Sequence, residues 1–343
     1  MSKIVYLLGA GASYGKRCND KDRETSIIEG LPVINEIDEQ IEFVCNLIKE
    51  TAFDENLKRQ FAERHTAINI EDAKETLLSW FAWLRENCNQ HATIDTFAKK
   101  LWLKGDDRHF VRLEFLLTSF FLILQLKIPF DRRYDTFLAN VLDTNLQIPD
   151  DIGILTWNYD SQFDLAYSQY YENHSIGKIS AKTLPIPFDN DKKSIIKING
   201  TANFYGANRV ELSQYIRDKQ PIQKILYKII DVACSSSGIS EGRTSLNFAW
   251  RMEFFNDIKE QIKPFVNDAE VIIIIGYTYP FFNREIDRWI VQEMPNLKKI
   301  YIQDPNAENI QTNLLSVIQE KEKLIENSKL ITTTDSFFIP PEL

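Results

Sequence analysis

The residues in this chain best suited to chemistry sit where short apolar runs end. Gly9-Ala10-Gly11-Ala12-Ser13 follows the run Ile4–Leu8 at once. Residues this small let a backbone approach a pyrophosphate, and a helix beginning there would turn N–H groups and its positive dipole end toward the phosphates. Tight turns use the same glycines, so the pattern alone leaves both readings open. The hydride-transfer version, GxGxxG, needs glycine at position 14, where Tyr14 stands. It also needs an acidic residue closing a second strand about twenty residues on. A P-loop needs a Gly-Lys-Ser or Gly-Lys-Thr string, and none follows. The loop argues for a dinucleotide and against ordinary hydride transfer.

Four further strings end apolar runs in the same way. Thr156-Trp157-Asn158-Tyr159-Asp160 closes Ile152–Trp157 and sets Asn158 and Asp160 beside one crevice; an Asx-turn that merely ends the strand is the other reading. Lys197-Ile198-Asn199-Gly200-Thr201 follows Ile195–Ile198, and Gly276-Tyr277-Thr278 follows the β-branched run Val271–Ile275. In Gln303-Asp304-Pro305-Asn306, Asp304 ends a strand, where a carboxylate commonly accepts from ribose hydroxyls. A plain turn explains each string taken singly. Their shared place at strand carboxyl ends is what joins them.

The elements that must position these residues are strands alternating with helices. Ile4–Leu8, Ile152–Trp157, Ile195–Ile198, Val271–Ile275, Lys299–Gln303 and Leu330–Thr333 read as strands. Phe281–Met294 and Asn306–Asn327 read as helices between them, which implies a parallel, doubly wound sheet. From Gly30-Leu31-Pro32 to about residue 145 the apolar spacing is helical: Ile34, Ile37, Ile41, Val44 and Ile48, then Leu77, Leu78, Phe81 and Leu84, then Phe97, Leu101, Leu113, Leu116, Leu117, Phe120 and Phe121. The expected class is α/β, a Rossmann-like parallel sheet with a large all-helical insertion. The core comprises residues 1–30 and 146–343, and the insertion 31–145. Residues 205–265 read as helical and polar within the core, with Cys234–Thr244 a loop by composition.

Bulk composition narrows the function classes. A 343-residue chain that is 44% hydrophobic can bury a sizeable core. No secretory h-region is visible, and Phe115–Leu126 reads as a buried helix too short to span a bilayer. Cys18, Cys45, Cys88 and Cys234 form no CxxC pair, and His65, His91, His109 and His174 no metal motif. The expectation is a reduced, cytoplasmic protein without a metal site and without a membrane partner. A formal charge of −9 argues against direct nucleic-acid binding or a nuclease role, and Arg108, Arg112, Arg132 and Arg133 read as solvated helical surface.

The ordered set resembles the sirtuin-like superfamily, and within it the bacterial NAD-consuming proteins of anti-phage defence. The matching pieces are Gly9–Ser13, Gly30-Leu31-Pro32, Asn158-Tyr159-Asp160, Gly276-Tyr277 and Asp304-Pro305-Asn306, with Ile94-Asp95-Thr96-Phe97 and Asn283-Arg284-Glu285-Ile286-Asp287 also similar to the defence branch. The resemblance runs over most of the chain and implies NAD as substrate, in a cleft between sheet and helical module. It implies that Gly9, Ala10, Gly11, Ala12 and Ser13 hold the pyrophosphate, that Asn158 bonds the nicotinamide ribose and positions water, and that Asp160 supports it. Gly276 and Tyr277 would lie on the adenosine side and Asp304 on the adenosine ribose. Sirtuin deacylases carry a zinc ribbon of two CxxC pairs, which this sequence lacks; the defence branch instead hydrolyses NAD at the nicotinamide–ribose bond. The family has histidine in Lys-Leu-His-Gly-Ser/Thr strings, where Asn199 stands here as the catalytic-position residue. An amide takes no proton near neutral pH. A weak or inactive enzyme, an enzyme with its base elsewhere, and a chain inactivated to trap ligand all fit. The alternative function is a non-catalytic NAD or ADP-ribose sensor. With no second effector or sensor domain visible, activation is expected through a homo-oligomer or a separate sensor or ATPase protein of a defence system.

Overall fold

A computed structural model describes residues 3–19, 23–33, 36–91, 93–170, 195–235, 244–318 and 320–343. Ile34, His174 and residues 236–243 of the expected Cys234–Thr244 loop lie outside these; Cys234 itself ends a helix and Thr244 begins a strand. The chain forms two compact units. One comprises Met1–Lys16, Phe130–Thr201 and Asn247–Leu343; the other comprises Arg17–Pro129 and Ala202–Leu246.

The first unit is built on a six-stranded, all-parallel sheet. Its strands are β1 (Ile4–Leu8), β2 (Ile152–Thr156), β3 (Ile195–Lys197), β4 (Val271–Ile275), β5 (Lys299–Gln303) and β6 (Lys329–Ile331). Their order across the sheet is 3-2-1-4-5-6. Both faces are covered, which is why β1 and β4 read as unbroken apolar runs. Val5 and Leu7 face one core with Phe255, Ile258, Ile286, Ile310 and Leu314. Ile4, Tyr6 and Leu8 face the other with Phe137, Leu138, Phe163 and Phe337. Strand order reverses between β1 and β4, and at such a reversal the connections leave in opposite directions and open a crevice at the strand carboxyl ends.

The second unit is mostly helical. Helices Ile70–Gln90 and Asp107–Lys127 bury Leu77, Phe81, Leu113, Leu116 and Phe120, and helix Ile222–Cys234 packs on both. One described helix, Asp107–Lys127, is long and apolar enough to cross a membrane, and 78% of its most apolar window is buried inside the protein.

The unit boundaries differ from the expected 31–145 insertion: residues 17–30 and 202–246 fall in the helical unit, and residues 130–145 in the sheet unit. Residues 202–246 join the helical unit because Ile225, Leu226, Ile229 and Ile230 make one buried stripe, so this stretch is less polar than its composition implies. Helix Arg132–Val141 belongs to the sheet unit because Tyr134, Phe137, Leu138 and Val141 bury in the core beneath β1.

Candidate functional site

All the residues expected at the site, from Gly9 to Asp304, lie in the sheet unit. Gly9–Ser13 leaves β1 as a single 3₁₀ turn, Ala10–Ser13. The expected α-helix does not follow: Gly15 takes φ +65, and the chain runs on to the extended pair Lys16–Arg17. No α-helix begins in this loop, so the loop has no dipole of its own to offer a phosphate.

The glycines serve a backbone-to-backbone contact. Gly9 N–H donates to the Ile275 carbonyl at 2.9 Å and Gly11 N–H to the Gly276 carbonyl at 3.0 Å. A β-carbon on Gly9 would fall 2.5 Å from the Gly276 oxygen, and one on Gly11 would fall 2.7 Å from Gly276 Cα. With Ala12 N–H also donating to the Gly9 carbonyl, the amides of Gly9, Gly11 and Ala12 already have acceptors. The cradle expected of Ala10–Ser13 is thus committed to the protein itself at Gly11 and Ala12, because the β1 and β4 loops close on each other.

Asn158 ties the end of β2 to this loop. Its Nδ2 donates to the Gly9 carbonyl at 2.9 Å and to Ser13 Oγ at 3.1 Å. Ser13 Oγ lies 3.0 Å from the Tyr134 hydroxyl, and either oxygen can donate across that contact. Asp160 accepts from Gln162 N–H at 2.9 Å. Burial pushes its carboxyl above the ordinary range, against the pull of the Lys197 ammonium, the Gln162 N–H and the Ser13 hydroxyl. Lys197, 1% exposed, donates to the Asp160 carbonyl and to Asp164. The result is a buried relay of polar groups, Tyr134, Ser13 and Asp160, with Asn158 bonded to the Ser13 hydroxyl at its middle.

Asn199 stands apart from that relay. Its Nδ2 donates to the Trp157 carbonyl at 2.9 Å, and its Oδ1 accepts from Ala249 N–H at 3.0 Å. Both ends of the amide are in use, so the side chain is a clasp between two loops and carries no exchangeable catalytic proton.

The β4 loop holds a second buried cluster. Gly276 has φ +59, and Tyr277 lies 4% exposed with its hydroxyl donating to Asp287 at 2.9 and 3.0 Å. Burial pushes the Asp287 carboxyl well above the ordinary range, and the Tyr277 hydroxyl only partly opposes it. Asp304 sits farther along the edge, after β5, where its carboxylate accepts from Asn306 N–H at 2.8 Å. Strands lie about 4.8 Å apart, which puts the end of β5 roughly 10 Å from the glycine loop.

Arg133 was expected on a solvated surface, yet its side chain is 13% exposed. Its guanidinium donates to the Gly11 carbonyl at 2.9 Å, the Thr334 carbonyl at 3.2 Å and the buried Asp131 carboxylate. Arg108 and Arg132 are exposed, whereas Arg112 lies half-buried over Trp80 and Trp83 in the other unit. Arg133 and Tyr134 were not legible as site residues, since about 120 positions separate them from the loop they hold. Gly30-Leu31-Pro32 and Ile94-Asp95-Thr96-Phe97 lie in the helical unit. Among the described residues no three His, Cys, Asp or Glu side chains are grouped to hold a metal. No protein-family profile matches the chain, and no curated protein matches it.

Proposed function

We propose that this chain is a sirtuin-like NAD hydrolase. It binds NAD at the carboxyl edge of a Rossmann-like sheet and cleaves the nicotinamide–ribose bond to ADP-ribose plus nicotinamide, as an effector that depletes NAD in anti-phage defence. The observation that carries this reading is the meeting of Gly9–Ser13 with Asn158 and Asp160 where the order 3-2-1-4-5-6 reverses. Residues 17–129 and 202–246 are then the helical module of such a protein. Four free thiols fit a cytoplasmic setting. A homo-oligomer, or a separate sensor or ATPase protein, supplies the trigger.

Departure of nicotinamide leaves an oxocarbenium-like ribose, so the reaction needs a placed water and electrostatic support more than a strong nucleophile. Asn158, fixed between Gly9 and Ser13, is suited to the placing. Asp160 is the titratable member of the relay, and its raised carboxyl makes it the candidate for proton transfer that Asn199 is unable to perform. Gly276, Tyr277 and Asp304 take the adenosine side.

A non-catalytic NAD or ADP-ribose sensor is the second reading, favoured by the fully engaged Asn199 amide. Calorimetry with NAD and ADP-ribose, a nicotinamide-release assay and light scattering test both. The expected result is binding of both ligands, release of nicotinamide and a species larger than the monomer. Asp160→Asn is expected to lower turnover by about 10²-fold or more while ligand still binds. Binding without release, in the wild type and in Asn199→His, selects the sensor. No binding of any adenine dinucleotide ends both readings.

A further inference from the structure

Three aromatic rings pack in a row at the carboxyl edge of the sheet. Trp157 lies parallel to Tyr277 with ring centroids 5.4 Å apart, and Tyr277 meets Tyr279 at 4.8 Å. None is more than 5% exposed. The middle ring is satisfied, since the Tyr277 hydroxyl donates to Asp287 and accepts from Asn283 Nδ2 at 3.1 Å. The outer two are not. The Trp157 indole N–H and the Tyr279 hydroxyl are closed off from solvent and have no hydrogen-bond partner among the described residues.

Folded proteins rarely bury polar groups unpaired, and each instance calls for a cause. Core packing does not supply one at Tyr279, because phenylalanine there would keep the ring contacts and remove the unpaired group. Tyr279 also takes φ +53, a conformation that residues with side chains adopt only where their surroundings impose it. Both groups flank β1. Trp157 directly precedes Asn158, and the loop bearing Tyr279 directly follows Gly276, the glycine packed on Gly11.

We infer that the Trp157 indole N–H and the Tyr279 hydroxyl are ligand-facing groups, held for an oxygen of the dinucleotide, and that these two residues select what the crevice accepts. The inference rests on the NAD reading above. An indole N–H only donates, so the incoming atom is an acceptor: a ribose, phosphate or carboxamide oxygen.

The test is calorimetry on the full chain as wild type, Trp157→Phe and Tyr279→Phe, titrated with NAD and with ADP-ribose, beside thermal unfolding without ligand. Each variant is expected to bind roughly tenfold more weakly, while the ligand-free Tm of Tyr279→Phe holds or rises because an unpaired group has gone and that of Trp157→Phe falls because the smaller ring leaves a void. Weakening with both ligands assigns the oxygen to the ADP-ribose portion; weakening with NAD alone assigns it to the carboxamide. Wild-type affinities in both variants overturn the inference and leave the NAD reading standing. So does a fall of several degrees in the ligand-free Tm of Tyr279→Phe with affinity unchanged, which identifies the partner of that hydroxyl as an internal water. A wild type that binds neither ligand overturns the NAD reading and this inference with it.

Discussion

Gly276 combines two constraints that a single side chain would violate together. Its φ is +59, and an added β-carbon would sit 2.4 Å from Gly11 Cα, which is backbone with little freedom to retreat. Gly105 has nearly the same backbone, φ +65, with nothing within 4 Å of its β-carbon position. The pair separates strain from collision. Gly105→Ala is expected to cost about 1 kcal/mol, the price of a left-handed alanine. Gly276→Ala is expected to cost about 3 kcal/mol or more, because the β1 and β4 loops must separate as well. Urea unfolding of both variants measures the difference; equal losses would mean that the loop contact contributes nothing.

Among the elements, the glycine turn is held from below by helix Arg132–Val141. Arg133 reaches from that helix to the Gly11 carbonyl and covers the Asp131 carboxylate, which is 0% exposed. Arg133→Ala leaves that buried charge without its cation and is expected to destabilise by about 3 kcal/mol. Arg133→Lys should recover only part of this, since an ammonium lacks the flat fork that spans carbonyl and carboxylate together. Faster hydrogen exchange at residues 10–14 in Arg133→Ala would locate the effect in the turn, and unchanged exchange there would refute the coupling. The strands were legible because burial on both faces writes itself as short, nearly continuous apolar runs, and β1, β4 and β5 lie where those runs predict. The helix expected after Ser13 was not stopped by any local signal as clear as proline; Gly15, at φ +65, is the residue that turns the chain. The site strings at Asn158 and Gly276 were legible from their place after strands. The partners Arg133, Tyr134 and Ala249 were not, because only the fold brings them near, and the stripe Ile225–Ile230 was masked by the charged residues around it.

For the molecule as a whole, carboxyls raised by burial, Asp287 and Asp160 among them, give stability a definite dependence on pH. Asp287, 1% exposed, faces the Tyr277 hydroxyl, with Tyr279 and Asn283 nearby and no cation among its perturbing neighbours. Its carboxyl, raised by burial, keeps a proton that the unfolded chain releases near about pH 3.9. The folded state therefore binds more protons above that pH, and its stability falls as pH rises from about 4 toward neutrality. Asp160 acts in the same direction, less strongly because Lys197 opposes the shift. Asp287→Asn is expected to flatten the slope of unfolding free energy against pH between 4 and 7, and an unaltered slope would contradict the assignment. The strand order has a consequence for synthesis as well. β1 leaves the ribosome roughly 260 residues ahead of its neighbour β4. At about 5–20 residues per second, that is a wait on the order of tens of seconds. Throughout it, the string Ile-Val-Tyr-Leu-Leu has one edge without its native partner and depends on shielding by the nascent chain or a chaperone.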